Sequence, residues 1–217
     1  MALKNFELQI IRVSAPLFAK NGVAKVCPDD VIGQTGCDTR LFYKHFPTKE
    51  DLLRAVVQHY LETASRRLKV CGAVSPNAVF ELQHFFDQMQ SGLANLSPVF
   101  VAGLKTDYPD IYKLLLTGRT LLLSFLETNY QRGVREGFYA GHVKAQHVIN
   151  WYVSQIQAIL FDRSNEYAGG QSEAVSFSNR FFLRLSVNDA GQRMISYHRP
   201  PGCQDESRVG PNTILPS

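Results

Sequence analysis

The sequence predicts an all-α protein, with an N-terminal three-helix head containing a helix-turn-helix and a larger helical body behind it. Three observations predict this. Apolar residues recur at steps of three and four through most of the 217 residues, the spacing of one face of an amphipathic helix. No stretch shows the strict alternation of a half-buried strand. Two short helical patterns lie either side of Gly36, joined by a turn of a few residues, which is the helix-turn-helix layout.

In the first helix, expected over 5–20, Phe6, Ile10, Val13, Leu17 and Phe18 form the apolar stripe, and Pro16 should bend it. Asn21-Gly22 ends it, with Gly supplying a left-handed cap and Lys20 at the negative end of the helix dipole. Pro28-Asp29-Asp30 opens a second helix that reaches Thr35, since Pro fits a first turn and carboxylates favour a helix N-terminus. Asp38 can cap a third helix running to His45, and Thr48 a fourth that links head to body.

The body then reads as helices over 77–96, 98–105, 110–136, 144–165 and 173–185, with turns at Ser75-Pro76, Ser97-Pro98 and Tyr108-Pro109. Gly118 is a weak point in the longest of them. The helix over 144–165 is apolar around much of its circumference and needs cover on more than one side. From Asp189 to Ser217 no periodicity survives, and this segment is expected to be a disordered or loosely attached tail.

Composition narrows the function classes. With 45% hydrophobic and 19% charged residues the chain resembles ordinary globular proteins. It contains no uncharged apolar run of the ~18 residues a membrane span requires. Glu7, Gln9 and Arg12 interrupt what would be the apolar segment of a signal peptide, so a cytoplasmic location and no membrane partner are expected. The four cysteines lack metal-site spacing. They are expected to be reduced thiols, with a redox role for Cys27 or Cys37 as the alternative. No paired-carboxylate, Ser-His-Asp, P-loop or G-x-G-x-x-G arrangement occurs and the six His are scattered, so neither an enzyme nor a cofactor is expected.

The net charge is +4, and its surplus lies within the first 70 residues, which hold eleven basic and seven acidic groups. A basic head favours a polyanion, though the excess is modest. The run Leu41-Phe42-Tyr43-Lys44-His45-Phe46-Pro47-Thr48-Lys49-Glu50-Asp51-Leu52-Leu53, preceded by Gly36-Cys37-Asp38, resembles the DNA-binding head of the TetR family of bacterial transcriptional regulators. The resemblance covers about 6–57; beyond residue 70 it is one of layout.

That resemblance implies domains at 1–47 for DNA binding and 48–188 for ligand binding and dimerisation. It also implies a homodimer paired through the last two long helices. By resemblance, Thr39, Arg40, Leu41 and Lys44 face the major groove, and Tyr43, His45 and Lys49 hold phosphates. The residue chemistry is compatible. Arg40 can bind guanine O6 and N7, Leu41 can pack on a thymine methyl, and Lys49 sits at a helix N-terminus. Phe42 and Phe46, four apart and apolar, should point inward, and a structural role for His45 stays open. Two positions depart from the family pattern: Cys27 stands where Ser or Thr usually caps helix two, and Ile32 where Ala is usual.

Phe86, Met89, Phe100, Phe125, Trp151 and Tyr152 are the candidates for an apolar ligand pocket, with plain core packing as their alternative. The expected function is a dimeric, sequence-specific DNA-binding regulator on a palindromic operator, a repressor released by a small-molecule effector. The alternative is a helical protein-interaction module that keeps the fold without binding DNA.

Overall fold

The computed structural model describes residues 2–93, 97–141, 145–161 and 170–197. Among them are eleven helices: α1 (Ala2–Asn21), α2 (Pro28–Thr35), α3 (Thr39–His45), α4 (Lys49–Val74), α5 (Ala78–Leu93), α6 (Pro98–Asp107), α7 (Pro109–Leu116), α8 (Gly118–Arg135), α9 (Ala145–Phe161), α10 (Gly170–Ser186) and α11 (Asp189–Tyr197). The one extended pairing among the described residues is an antiparallel bridge between Tyr139 and Val187.

The caps form as their side chains dictate. Asp38 accepts from the Leu41 amide at 2.9 Å, and Thr48 and Asp51 satisfy each other's backbone amides at 3.1 and 3.0 Å, a reciprocal capping box. Ser97 caps α6 by accepting from the Phe100 amide at 3.2 Å. Gly22, at φ 79°, ends α1 in the left-handed region. A side chain there would also strike Val99 of α6, since an added Cβ would lie 2.6 Å from its Cγ1.

Two apolar cores result. One joins Ile10, Phe18, Val31, Phe42 and Phe46 to Leu52, Leu53, Val56 and Val57 of α4 and to Phe100, Leu104 and Ile111 of α6 and α7. The other lies in the body, where Leu82, Phe85, Leu126, Tyr152, Val153 and Phe182 meet. Helix α4 belongs to both, since Leu68 and Cys71 at its far end pack in the second.

Two helical elements differ from the sequence reading. The helix expected over 110–136 is two helices, α7 and α8, parted at Thr117. The Thr117 hydroxyl donates back to the Leu114 carbonyl at 2.7 Å, and Gly118 lets α8 press against α4, where a Cβ would meet Leu61 at 3.1 Å. Bonding of this kind beside glycine is a recognised cause of a helix break.

The second correction concerns the expected tail, whose first nine residues form α11. Asn188 caps it by accepting from the Gly191 amide at 3.1 Å, and Met194 and Ile195 pack on the body core. The remainder of the expected tail, 198–217, lies outside the described residues, as do 94–96, 144 and 162–165 at the ends of expected helices. Among the described residues no helix is long and apolar enough to cross a membrane.

Candidate nucleic-acid interface and ligand cavity

Helix α3 is short, so its presentation depends on what seats it. Phe42 is 1% and Phe46 5% exposed, and their rings lie 5.7 Å apart in the head core. With that face inward, helical spacing sends Thr39 and Tyr43, and Arg40 and Lys44, outward as two i, i+4 pairs. All four are exposed. Leu41 and His45 fall on the flank and are half-buried. The structure therefore brings four of the predicted readers and holders onto one open face.

His45 departs from its expected orientation toward a phosphate. Its Nδ1 sits 2.8 Å from Glu7 Oε1 on α1, its ring tilts against Phe6 with centroids 5.4 Å apart, and its Nε2 is buried without a protein partner among the described residues. Its position on the flank of α3 turns it toward α1. Glu7 was not legible as its partner, because two residues 38 apart meet only through the tertiary fold. Lys49 opens α4, half-buried.

The two unusual positions on α2 are accommodated. Asp30 accepts from the Cys27 backbone amide at 2.7 Å and from the Cys27 thiol at 3.0 Å, so the carboxylate satisfies the N-cap amide, the half of a capping box that the third helical residue contributes. Those two bonds, thiol first, with the charge of Lys49 adding, hold the Asp30 carboxyl below the usual carboxylate range. Ile32 packs half-buried against the head core. Gly36 takes φ 63° in open space, so the turn into α3 needs glycine for its backbone rather than for room. The thiols of Cys27, Cys37 and Cys71 are free, and no group of three His, Cys, Asp or Glu among the described residues is placed to hold a metal.

Behind the head, a partly open cavity of about 250 Å³ lies between α4, α5, α7, α8 and α9. Its walls are mainly apolar, with Leu68, Phe85, Leu122 and Ile156 prominent. Of the six residues nominated from sequence, Met89 alone lines it. Phe100 sits in the head core against Phe18, while Phe86 packs on Tyr152 and Phe125 on Phe85. Tyr152 is fully buried and donates to Asn179 at 2.8 Å. Burial pushes its phenol well above the ordinary tyrosine value, so it stays neutral.

Trp151 faces outward against Phe181, with ring centroids 5.1 Å apart. It belongs to an exposed patch with Phe177, Phe181 and Leu185, three residues of α10 at helical spacing.

The cavity also contains two residues that sequence reasoning passed over, Arg67 and Arg119. A signal for both existed. Arg67 stands three after Ala64 and four before Cys71, and Arg119 four after Leu115 and three before Leu122, which are core spacings rather than surface ones.

Tyr60 connects the cavity to the head. Its ring forms part of the wall and its hydroxyl donates to the Ala15 carbonyl of α1 at 3.2 Å. Burial raises its pKa above the ordinary phenol range, which keeps that donor in place at neutral pH.

Comparison with known proteins adds to this geometry. The family model of bacterial regulatory proteins of the tetR family matches residues 10–56. The uncharacterised HTH-type transcriptional regulator YerO of Bacillus subtilis (strain 168) is 33% identical over 61 residues, which span 28% of this chain and 21% of that protein. The match thus covers about a fifth of that relative's length.

Two solved structures share the fold across most of the chain. A TetR-family transcriptional regulator from Agrobacterium tumefaciens is similar with a TM-score of 0.70 at 13% identity, covering 86% of this chain and 100% of that one. Reduced NemR of E. coli is similar with a TM-score of 0.67 at 12% identity, covering 85% and 98%. The head, residues 10–56, thus matches the tetR family of bacterial regulatory proteins, and the fold from head to body is shared with these two solved structures.

Proposed function

We propose that the protein is a homodimeric, cytoplasmic, DNA-binding repressor whose grip on a palindromic operator is released by a small molecule. The observation that carries this is the exposed Thr39, Arg40, Tyr43 and Lys44 face of α3, held rigidly by buried Phe42 and Phe46. A rigid helix bearing a guanidinium, a hydroxyl and an ammonium is what major-groove reading needs. In this reading residues 1–47 read the DNA and 48–188 bind ligand and partner.

Arg40 and Thr39 contact base edges, with Leu41 beside them at a thymine methyl and Lys44 completing the reading set. Tyr43 and Lys49 hold phosphates, the latter at the N-terminus of α4. The aromatic patch of Trp151, Phe177, Phe181 and Leu185 is the core of the interface with a second copy. An exposed cluster of large apolar groups is characteristic of such a surface. Two heads related by a two-fold axis then meet major grooves ~34 Å apart or a multiple of it.

Helix α4 is the coupling element. Its first turns lie in the head core, and Tyr60, Leu61 and Leu68 further along line the cavity. A ligand that favours a different position of α4 against α7 and α8 changes the spacing of the heads.

The test is retardation of a DNA fragment carrying an inverted repeat from beside the gene. Binding at low salt, abolished by substituting Arg40 and Lys44 together, is expected. Failure to bind any such fragment at low salt would overturn the reading. Indifference to the two substitutions would favour an interaction module on the same fold.

A further inference from the structure

We infer that the cavity binds a small organic anion, with an apolar tail against its walls and a carboxylate held by Arg67 and Arg119. This rests on the cavity being the effector site of the regulator proposed above. The walls are apolar apart from a few groups, and none of the residues lining the cavity is an Asp or Glu. Two guanidinium-bearing side chains enter it from different helices, Arg67 from α4 and Arg119 from α8.

Neither arginine has a carboxylate partner among the described residues, whereas Arg54 pairs with one and Arg132 with two. Arg67 Nη1 donates to the Gln88 carbonyl at 3.4 Å, and Arg119 Nη1 donates to Gln157 Oε1. Each acceptor is neutral and engages one donor of a group that carries five. The bonds orient the two side chains and leave their charges uncompensated.

An apolar site with two uncompensated cations selects against cationic ligands and leaves a neutral ligand unable to match them. A carboxylate meets a guanidinium with two parallel, charge-assisted hydrogen bonds. The volume favours a compact acid, since about 250 Å³ lies just below the ~300 Å³ at which small-molecule pockets usually begin. The approach of α8 to α4 at Gly118, where a Cβ would stand 3.1 Å from Leu61, keeps the helices bearing the two arginines close together.

The experiment uses the full chain with N-phenylnaphthylamine, an uncharged fluorophore, as the reporter of cavity occupancy. Sodium octanoate and octanol, with equal tails, compete for the site. Octanoate is expected to displace the reporter at a concentration at least about tenfold lower than octanol. The Arg67→Met/Arg119→Met double variant should still bind the reporter and lose that advantage. Should the double variant fail to fold, Arg119→Gln alone should cut the advantage by at least about threefold.

Equal potency of the two competitors, or an advantage that survives both substitutions, overturns the inference. Operator retardation in the same solutions separates this from the regulatory reading. Arginine-dependent octanoate binding that leaves DNA binding intact upholds the anion site and sinks the effector role. Release of DNA by octanol, with no advantage for octanoate, upholds the effector role and sinks the anion site.

Discussion

His45 on α3 and Glu7 on α1 meet side chain to side chain, Nδ1 to Oε1 at 2.8 Å. The imidazole is largely covered, 11% exposed, and Phe6 packs on its ring. The contact joins the first helix of the head to the helix proposed to enter the groove. His45 thus acts as a seating residue, and His45→Ala should lower both head stability, by about 1 kcal/mol, and operator affinity. The slope of log affinity against log salt should stay unchanged, because no phosphate contact is lost. Titration of the variant at three or more salt concentrations checks this; a shallower slope would return His45 to the phosphate-binding set.

Arg40 and Lys49 should separate in the same measurement. Arg40→Ala removes a candidate bidentate base contact and should cost about 1–3 kcal/mol on the operator, with a much smaller loss on unrelated DNA. Lys49→Ala should weaken binding to all sequences alike and reduce the salt slope by about 0.9. Interchanged results would reassign the two roles.

The contrast between these residues shows how far a sequence reaches. Phe42 and Phe46 were legible because helical spacing alone sends them to one face, and the Asp38 and Thr48 caps because their chemistry acts within three residues. The Glu7–His45 contact was not, and the arginines of the cavity were legible only as charges at core spacings, because their surroundings depend on which of several apolar faces meets which. Helix α11 was missed for a different reason. Gly191 suggests a break, yet an added Cβ there would lie 2.4 Å from the Phe138 carbonyl, so the glycine serves close packing within a helix. Of the six aromatic and apolar residues nominated for the pocket, five belong to cores or to the outer patch, because periodicity distinguishes inside from outside but not core from cavity wall.

The outer patch yields a prediction about assembly. Phe177 is 62% and Phe181 41% exposed, with their rings stacked 6.3 Å apart, an arrangement that leaves much apolar area in water for an isolated chain. Phe177→Glu combined with Phe181→Glu should halve the mass seen by sedimentation equilibrium and remove high-affinity operator binding, while helical content stays unchanged. A variant that remains dimeric would place the two-fold interface elsewhere, and a wild-type monomer would overturn the proposed dimer.

His59 supplies a pH dependence. Burial lowers its pKa from the ordinary value; Arg12 and Arg66 add to this, and Glu62 partly offsets it. The folded state therefore binds a proton less readily than the unfolded chain, and stability is fully present above the unfolded value of about 6.5. It falls as pH drops through that value toward the lower folded one. Urea unfolding at pH 7.5 and 5.5 should show a loss on acidification that is smaller in His59→Gln. An equal loss in both proteins would assign the effect to other groups.

The most demanding prediction concerns Arg132 and Glu81, which hold the body together away from both candidate sites. Glu81 Oε2 accepts from Arg132 Nη1 at 2.9 Å and from Asn129 Nδ2 at 3.1 Å, and its side chain is only 7% exposed. Arg132 also donates to Glu136 at 2.7 Å and to the Ser75 carbonyl at 3.1 Å. It thus ties α8 to the turn before α5. Removing one partner of such a pair leaves a buried charge without its counterion, which costs about 3–5 kcal/mol. Removing both with apolar replacements costs much less. Arg132→Met should therefore destabilise strongly in urea unfolding, and adding Glu81→Leu should recover part of the loss. DNA affinity of the remaining folded protein should be nearly unchanged, because the pair lies in the body and the reading face is seated by the other core. A single substitution costing less than about 1 kcal/mol would mean that water compensates the carboxylate.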